Sequence, residues 1–312
     1  MLTYIVRQVL YAVLIILGVM SVTFFIIRVL PGDPARLMMG QRTDLQSVET
    51  LRKQWKLDRP LHEQYVDFMS RAVRGDLGMS FAFNRPVLET ILERFVPTLI
   101  LASSALLLST VVGVAIGVVS STRPNTLFDN SSMIGALLGI SVPSFVMGHV
   151  LALIFAKWLG WFEGTGYFWK NGEFDIRFLF LPMIALGARP LSIIARITRS
   201  SMLDIASQDY VRTAHAKGLA RHGVIIKYIL RNALNPVVTT ISTWLAATLA
   251  GTLFIEQVFN WPGIGQLAYD AVIQLDFPVI QGTVLFTAIV FVAINLLVDI
   301  LYALLDPKVR LG

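Results

Sequence analysis

The sequence predicts an all-α integral membrane protein with six transmembrane helices. Three observations predict this fold class. The composition is 55% hydrophobic and only 15% charged, the mean hydropathy is +0.68, and long apolar runs recur along the chain. Soluble domains average about 25% charged residues. A chain of 312 residues with this composition cannot bury its apolar side chains in one soluble core.

A transmembrane helix needs about 20 mostly apolar residues. The candidate spans are residues 9–27, 95–122, 130–156, 178–188, 232–255 and 277–298. The fourth candidate is short, because Arg189 and Pro190 follow its apolar run. The fifth helix is expected to start at Pro236, since proline is tolerated in a first helical turn.

The distribution of basic residues predicts the orientation. The stretch from Arg212 to Pro236 holds five Lys or Arg and no acidic residue. Short loops of this kind stay in the cytoplasm. Six spans with both termini inside place this stretch inside, whereas omission of the fourth span would place it outside. The charge bias therefore supports six spans and cytoplasmic termini.

The domain organisation follows from these spans. Residues 31–94 contain ten basic and nine acidic residues, and long segments cross the membrane largely regardless of charge. We therefore expect an extracytoplasmic insertion, with short helices over residues 48–55 and 61–73. The predicted parts are an N-terminal helix (1–30), this insertion (31–94), a five-helix core (95–305) that includes a cytoplasmic loop (204–235), and a cytoplasmic tail (306–312).

Motifs for catalysis, metal binding and nucleotide binding are absent from the sequence. There is no cysteine, and the four histidines lack ligand spacing. Without a Gly-Lys dipeptide there is no P-loop, and no Gly-x-Ser-x-Gly motif occurs. The basic residues lie between apolar runs instead of clustering on a soluble face, so nucleic-acid binding is not expected.

A short cytoplasmic helix is predicted from Ser207 to Gly218. Ser207 or Asp209 could cap its first turn, and Gly218 suits the left-handed residue that ends many helices. The residues expected on one face at helical spacing are Tyr210, Val211 and Ala214. Such a helix can dock a cytoplasmic partner; the alternative is a connector that lies on the membrane surface.

This stretch resembles the cytoplasmic loop of ABC-importer permeases, which reads Glu-Ala-Ala, three residues, Gly, nine residues and Ile-x-Leu-Pro. The chain keeps Ala214, Gly218 and Leu230 at that spacing. The departures from the pattern are Arg212, Thr213, Tyr228 and Arg231. The reading Arg-Thr-Ala-x-Ala-Lys-Gly is typical of the branch that imports dipeptides, oligopeptides, nickel and glutathione.

Other segments resemble the same branch, and the long segment after the first span resembles its B-type permease. These segments are residues 30–34, 75–78, 196–202, 259–265 and 299–307. The resemblance implies a type I ABC importer permease fold and half of a translocation path that works by alternating access. It also implies that the ATPase-coupling residues are Tyr210, Arg212, Ala214, Lys217 and Gly218.

The resemblance further implies the partners and the location. The partners are a second homologous permease, two cytoplasmic ATPase subunits and an extracytoplasmic substrate-binding protein. The chain lies in the lipid bilayer of a bacterial or archaeal cell (inner) membrane. It is not expected to be an enzyme or to hold a cofactor, because the partner ATPases bind ATP and Mg. The main alternative function is a self-sufficient secondary transporter or channel, followed by a membrane enzyme.

Arg189 is the ionisable residue expected deepest in a span. Arginine is costly in hydrocarbon, so it should face protein or a wet cavity. It could line the substrate path and attract an anionic group; the alternative is an ion pair or a snorkelling side chain. Asp299 is expected to pair with Arg196 or Arg199, and Glu256 is expected to be hydrated at an outer helix end.

An outer segment combines turn residues with aromatic residues. Its candidate residues for an outer gate or a docking surface are Phe259, Trp261, Pro262 and Gly263. The alternative is a rigid turn that Trp261 anchors at the membrane interface.

Overall fold

The computed structural model describes residues 2–29, 45–55, 57–166, 169–170, 173–250 and 252–305. The segment of residues 30–34 and the tail of residues 306–312 lie outside the described residues. In chain order the helices are α1 (Leu2–Val29), α2 (Leu45–Gln54), α3 (Leu61–Val73), α4 (Val87–Thr122), α5 (Leu127–Ser141), α6 (Ser144–Leu151), α7 (Arg177–Ala206), α8 (Asp209–Ala216), α9 (Arg221–Gly223), α10 (Arg231–Ala250), α11 (Leu253–Phe259), α12 (Ile264–Ile273) and α13 (Phe277–Leu305).

Irregular elements complete the described chain. A π-helical segment, Ala152–Trp158, continues α6, and a second, Val224–Leu230, joins α9 to α10. Two short strands, β1 (Trp169–Lys170) and β2 (Glu173–Phe174), pair antiparallel. The described structure is otherwise helical, as predicted.

Four helices are long and apolar enough to cross a membrane: Val6–Ile27 within α1, α4, α7, and Phe277–Asp299 within α13. Two bent pairs complete six spans if each pair counts as one. Helices α5 and α6 meet at an angle of 109°, and the helical segment Arg221–Leu249 meets α11 at 58°. The predicted all-α membrane fold is confirmed.

The short fourth candidate span is part of one continuous helix. Helix α7 is 30 residues long and passes through Pro182 and Pro190. Much of it is buried, including Leu181 and Ile194 at 1% and 0% exposure. Tertiary packing therefore stabilises a helix that the apolar run of residues 178–188 does not define by itself.

Glycines bring other helices close to α7. A Cβ at Gly113 of α4 would lie 2.9 Å from the carbonyl oxygen of Leu191, and one at Gly117 would lie 2.7 Å from that of Ala195. Small residues four apart allow two helix backbones to approach closely in a membrane. Only glycine fits at these two positions without a shift of α4 or α7.

The fifth span begins earlier than predicted. Pro236 lies inside α10, which starts at Arg231 and continues the π-helical segment before it. Val224 and Ile229 of that segment are buried. Packing of these side chains holds the helix upstream of the proline, so the local signal for a helix start was misleading.

The chain packs as two compact units. The first consists of residues 1–97 and 262–312. In it, Phe24 of α1 is buried beside Tyr65 and Phe68 of α3, with ring centres 5.4 and 5.7 Å away. A further core cluster of this unit contains Val87, Ile91, Leu267 and Val279.

Asp276 fastens the end of the inserted segment (residues 31–94) within this first unit. The carboxylate is fully buried. It accepts hydrogen bonds from the Ser80 hydroxyl at 2.5 Å and from the backbone N–H groups of Phe81 and Ala82 at 3.1 and 3.0 Å. Asp276 immediately precedes α13, so these bonds tie the Ser80–Ala82 loop to the start of the last span.

The second unit consists of residues 98–261. Its main core cluster includes Leu101, Leu181, Ile255, Phe259 and Trp261. A separate cluster lies under α8 and contains Met202, Val211, Ala214, Val224, Ile229 and Ala233. The two clusters position the candidate site residues of this unit.

Candidate functional site

Helix α8 is the short polar helix predicted from the sequence. Gln208 precedes it in an extended conformation, and no side chain caps its first turn. The Ser207 hydroxyl instead donates to the carbonyl oxygen of Asp204 at 2.8 Å. Neither Ser207 nor Asp209 is therefore the predicted cap, because Ser207 keeps the helical conformation that ends α7.

Gly218 ends this segment as predicted. Its φ is +75°, and its N–H donates to the carbonyl oxygen of His215 at 2.9 Å. A Cβ at this position would meet no atom within 4 Å. The requirement for glycine therefore comes from the backbone conformation and not from crowding.

One face of α8 is buried and the other is open. Val211 and Ala214 are 1% and 4% exposed and pack with Met202 and Ile229. Tyr210 is 43% exposed, and its hydroxyl oxygen lies 3.2 Å from the Asn232 amide that donates to it. Tyr210 therefore lies beside the buried face, while Val211 and Ala214 share it.

The open face of α8 and the residues that follow it are basic. The exposed basic residues are Arg212, Lys217, Arg221, Lys227 and Arg231. Arg212 pairs with Asp209 at 3.5 Å, but both side chains are largely exposed, and such surface pairs contribute little stability. The segment thus presents a positively charged surface.

Arg189 lies deep in α7 and is exposed in this single chain. It is the thirteenth residue of the helix, about 18 Å from its start. Its guanidinium carbon lies 5.7 Å from the ring centre of Trp244 on α10. Within the described residues, no carboxylate lies within 4.0 Å of the guanidinium. The aromatic ring supplies a cation–π contact, and among the described residues no carboxylate neutralises the charge.

A polar stripe on α10 was missed by the sequence analysis. Its exposed members are Asn232, Asn235, Thr239 and Thr243. The Thr239 and Thr243 hydroxyls donate to the carbonyl oxygens four residues earlier, at 3.2 and 3.0 Å. Their oxygen lone pairs can still accept hydrogen bonds. The signal was present as polar residues at helical spacing inside a candidate span.

The outer aromatic residues are buried in this conformation. Phe259 and Trp261 are 1% and 0% exposed and belong to the main core cluster of the second unit. Pro262 is half-buried and Gly263 is buried. Phe259, Trp261 and Gly263 are therefore packed, and Pro262 is partly exposed.

Two expectations about acidic residues were wrong. Arg199 pairs with Asp129 instead of Asp299, and Asp299 accepts a hydrogen bond from the Gln8 amide at 2.9 Å. Glu256 is fully buried and accepts from the Thr98 hydroxyl at 2.7 Å, because α11 is packed inside the second unit. Partners distant in sequence determine these environments.

Family comparison agrees with this architecture. Residues 110–311 match the model for binding-protein-dependent transport system inner membrane components, and residues 1–102 match the model for the N-terminal part of such components. The chain belongs to this permease family. The self-sufficient transporter and the membrane enzyme considered above are thereby set aside.

Two relatives match the permease over almost its whole length. The glutathione transport system permease protein GsiC of Escherichia coli (strain K12) is 40% identical over 311 residues, which are 99% of each chain. GsiC of Salmonella choleraesuis (strain SC-B67) gives the same identity and coverage. A crystal structure of an amino acid ABC transporter with histidines has a TM-score of 0.51 and 14% identity, covering 70% of this chain and 94% of that one. The latter likeness shows the fold alone.

The permease is therefore the membrane subunit of an ABC importer, as the sequence predicted. A binding protein and an ATPase complete such a system, and ATP hydrolysis lies in the ATPase subunits. The missing P-loop agrees with this division of roles. The chain is a multi-pass membrane protein homologous to bacterial inner membrane permeases.

Proposed function

We propose that the permease forms half of an ATP-driven import path for peptides, or similar small cargo, that carry a carboxylate. The observation that carries this proposal is Arg189, an exposed cation deep in a candidate membrane span that has no carboxylate partner among the described residues. Such a residue is too costly to face lipid and should line a path that water or cargo enters.

The chemistry around Arg189 suits a peptide. Its planar guanidinium can hold a carboxylate through two parallel hydrogen bonds, and it remains charged in a partly dry cavity. Trp244 covers one side of the group. The Thr239 and Thr243 hydroxyl oxygens can accept hydrogen bonds from N–H groups of the cargo. The GsiC relatives are named for glutathione transport, and glutathione is itself a peptide with carboxylates.

Energy input is proposed to reach the path through α8. The residues of the coupling surface are Tyr210, Arg212, Ala214, Lys217 and Gly218. Buried Ala214 packs the helix against its own unit, and exposed Arg212 and Lys217 contact an ATPase. Two ATPase subunits would close on ATP and pull on α8 and on the matching helix of a second homologous permease. The spans would then open outward.

The orientation belongs to the same proposal. The termini and the loop of residues 204–235 lie in the cytoplasm, and the insertion of residues 31–94 lies outside, where the binding protein docks. The packed state of Phe259 and Trp261 suits a closed outer gate, and Pro262 and Gly263 are the further candidate residues for it. The positive charge of residues 212–231 supports the cytoplasmic assignment.

Substitution of Arg189 tests the cargo proposal. In vesicles that contain the complete importer, Arg189→Gln should reduce uptake of a carboxylate-bearing peptide about tenfold or more relative to its amidated analogue, since a hydrogen bond to a charged group contributes about 1.5–3 kcal/mol. Arg196→Gln is the matched control, because Arg196 is also an exposed arginine of α7. Equal loss of uptake for both peptides would reject the carboxylate site.

A further inference from the structure

An ion pair with a buried carboxylate joins two helices of the second unit, near the N-terminus of α5 and the C-terminus of α7. The Asp129 carboxylate of α5 is 0% exposed. It accepts from Nε of Arg199 at 2.5 Å, from Nη2 of the same guanidinium at 2.7 Å, and from the backbone N–H of Asn125 at 2.9 Å. A carboxylate with this many donors is held in one position. The proposed path and the coupling surface do not use it.

A second contact joins the same helices near mid-span. Gly139 of α5 faces Ser192 of α7, and a Cβ at Gly139 would lie 3.2 Å from the carbonyl oxygen of Ala188. Ten residues separate Asp129 from Gly139, and seven separate Ser192 from Arg199. The two contacts are therefore about 10–15 Å apart along the helices. Two separated contacts prevent α5 from swinging against α7.

The pair α5–α7 is linked directly to α8. Helix α7 ends at Ala206, and α8 begins at Asp209. The buried Val211 of α8 packs in one cluster with Met202 of α7. At its other end, α5 stops at the extended Val142, where the chain turns through 109° into α6. The rigid part of the third span thus ends at this break.

We propose that Asp129 and Arg199 are positioning residues that fasten α5 to α7, so that both helices carry the movement of α8 into the membrane as one rigid body. The proposal rests on the coupling role proposed above for α8. It assigns the break at Val142–Pro143 as the point where this movement leaves the third span.

A reversible cross-link tests the rigid body by comparing one preparation before and after reduction. The chain has no cysteine, so Gly139→Cys and Ser192→Cys introduce a single pair. The Cβ atoms would lie 3.4 Å apart, close to the usual range of about 3.5–4.5 Å for a disulfide. The complete importer in vesicles is measured oxidised and after reduction. We expect uptake by the oxidised sample to equal uptake after reduction within about twofold. We expect the same of ATP hydrolysis stimulated by the binding protein.

Movement of α5 against α7 predicts the opposite result. Oxidation would then abolish uptake, and reduction would restore it in the same vesicles. That outcome would overturn the proposal. Because one folded preparation supplies both measurements, poor folding of the variant cannot imitate it.

A neutral variant tests the ion pair itself. Removal of one partner would leave a buried charge unpaired, so Asp129→Asn and Arg199→Gln are combined. We expect the number of peptides imported per ATP to fall roughly tenfold, a coupling loss equal to about 1.4 kcal/mol. The oxidised 139–192 cross-link, added to this variant, should restore the ratio. The matched control combines Asp204→Asn with Arg196→Gln, two exposed residues of α7, and should couple normally.

The outcomes separate the two proposals. A neutral variant that couples like the wild type, or one that the cross-link does not restore, would refute the positioning role of the ion pair. If the wild-type importer takes up no carboxylate-bearing peptide, the cargo proposal fails instead. The cross-link result is then judged by ATP hydrolysis stimulated by the binding protein, which requires no assumption about cargo.

Discussion

At the scale of single residues, Gly218 shows how a backbone conformation determines a side chain. The residue adopts φ +75° at the end of α8, with open space where a Cβ would be. An L-residue in this left-handed region costs about 1–2 kcal/mol, and a β-branched residue costs more because of its own backbone clashes. The direction in which the chain leaves α8 therefore depends on glycine.

We expect Gly218→Val to disturb the proposed coupling surface while the permease still inserts. Co-purification of the ATPase subunits and uptake should both fall several-fold, since strain of more than about 1–2 kcal/mol is relieved by a shift of the loop. Gly223→Val is the matched control: Gly223 also has open space but no positive φ. Normal uptake and normal ATPase recovery with Gly218→Val would contradict the coupling assignment.

Single residues also mark the boundary of what the sequence could predict. Gly218 was predictable because few residues adopt positive φ. The environments of Asp129, Glu256 and Asp299 were not, because Arg199, Thr98 and Gln8 are distant in sequence and only the packing of helices brings them near. The burial of Phe259 and Trp261 depends on packing in the same way.

At the scale of elements, α7 is the helix around which the second unit packs. Helix α4 reaches its backbone at Gly113 and Gly117, and α5 reaches it at Gly139. The sequence predicted this span only through charge topology, since Arg189 and Pro190 interrupt its apolar run. Local signals failed here because neighbouring helices, and not the helix's own apolarity, stabilise α7.

We expect Gly117→Val to destabilise the α4–α7 contact. Even its Cβ would lie 2.7 Å from the Ala195 carbonyl oxygen, and overpacking of this kind typically costs about 1–3 kcal/mol. The thermal midpoint of the purified complex should fall by several degrees. Gly135→Val is the control, since a Cβ at Gly135 meets nothing within 4 Å. Equal midpoints for the two variants would show that this contact is not tight.

At the scale of the whole molecule, the composition and the family membership describe the membrane subunit of an ABC importer. The sequence predicted the membrane fold and the permease class because both depend on composition and on motifs that recur along the chain. The orientation remains a prediction, and the absence of cysteine makes it directly measurable.

Single cysteines should report the sides of the membrane. Leu219→Cys follows α8, and Leu219 is 42% exposed; it should react with a membrane-impermeant maleimide only from the cytoplasmic side. Ser70→Cys on the exposed surface of α3 should react only from outside. Ala102→Cys, at a position 1% exposed, is the unreactive control. Outside labelling at residue 219 would refute the six-span topology.

The Asp276 carboxylate has a consequence for exchange between homologous proteins. It accepts hydrogen bonds from one side-chain hydroxyl and two main-chain amides of the Ser80–Ala82 loop. Two of these three bonds therefore do not depend on the side chains of the loop. The chain before Leu77, whose side chain packs against the core cluster that contains Val279 of α13, can therefore vary in sequence without loss of these hydrogen bonds. In the orientation proposed above the insertion meets the binding protein, so a change confined to the insertion would alter the preference for that protein and leave these hydrogen bonds to the last span in place.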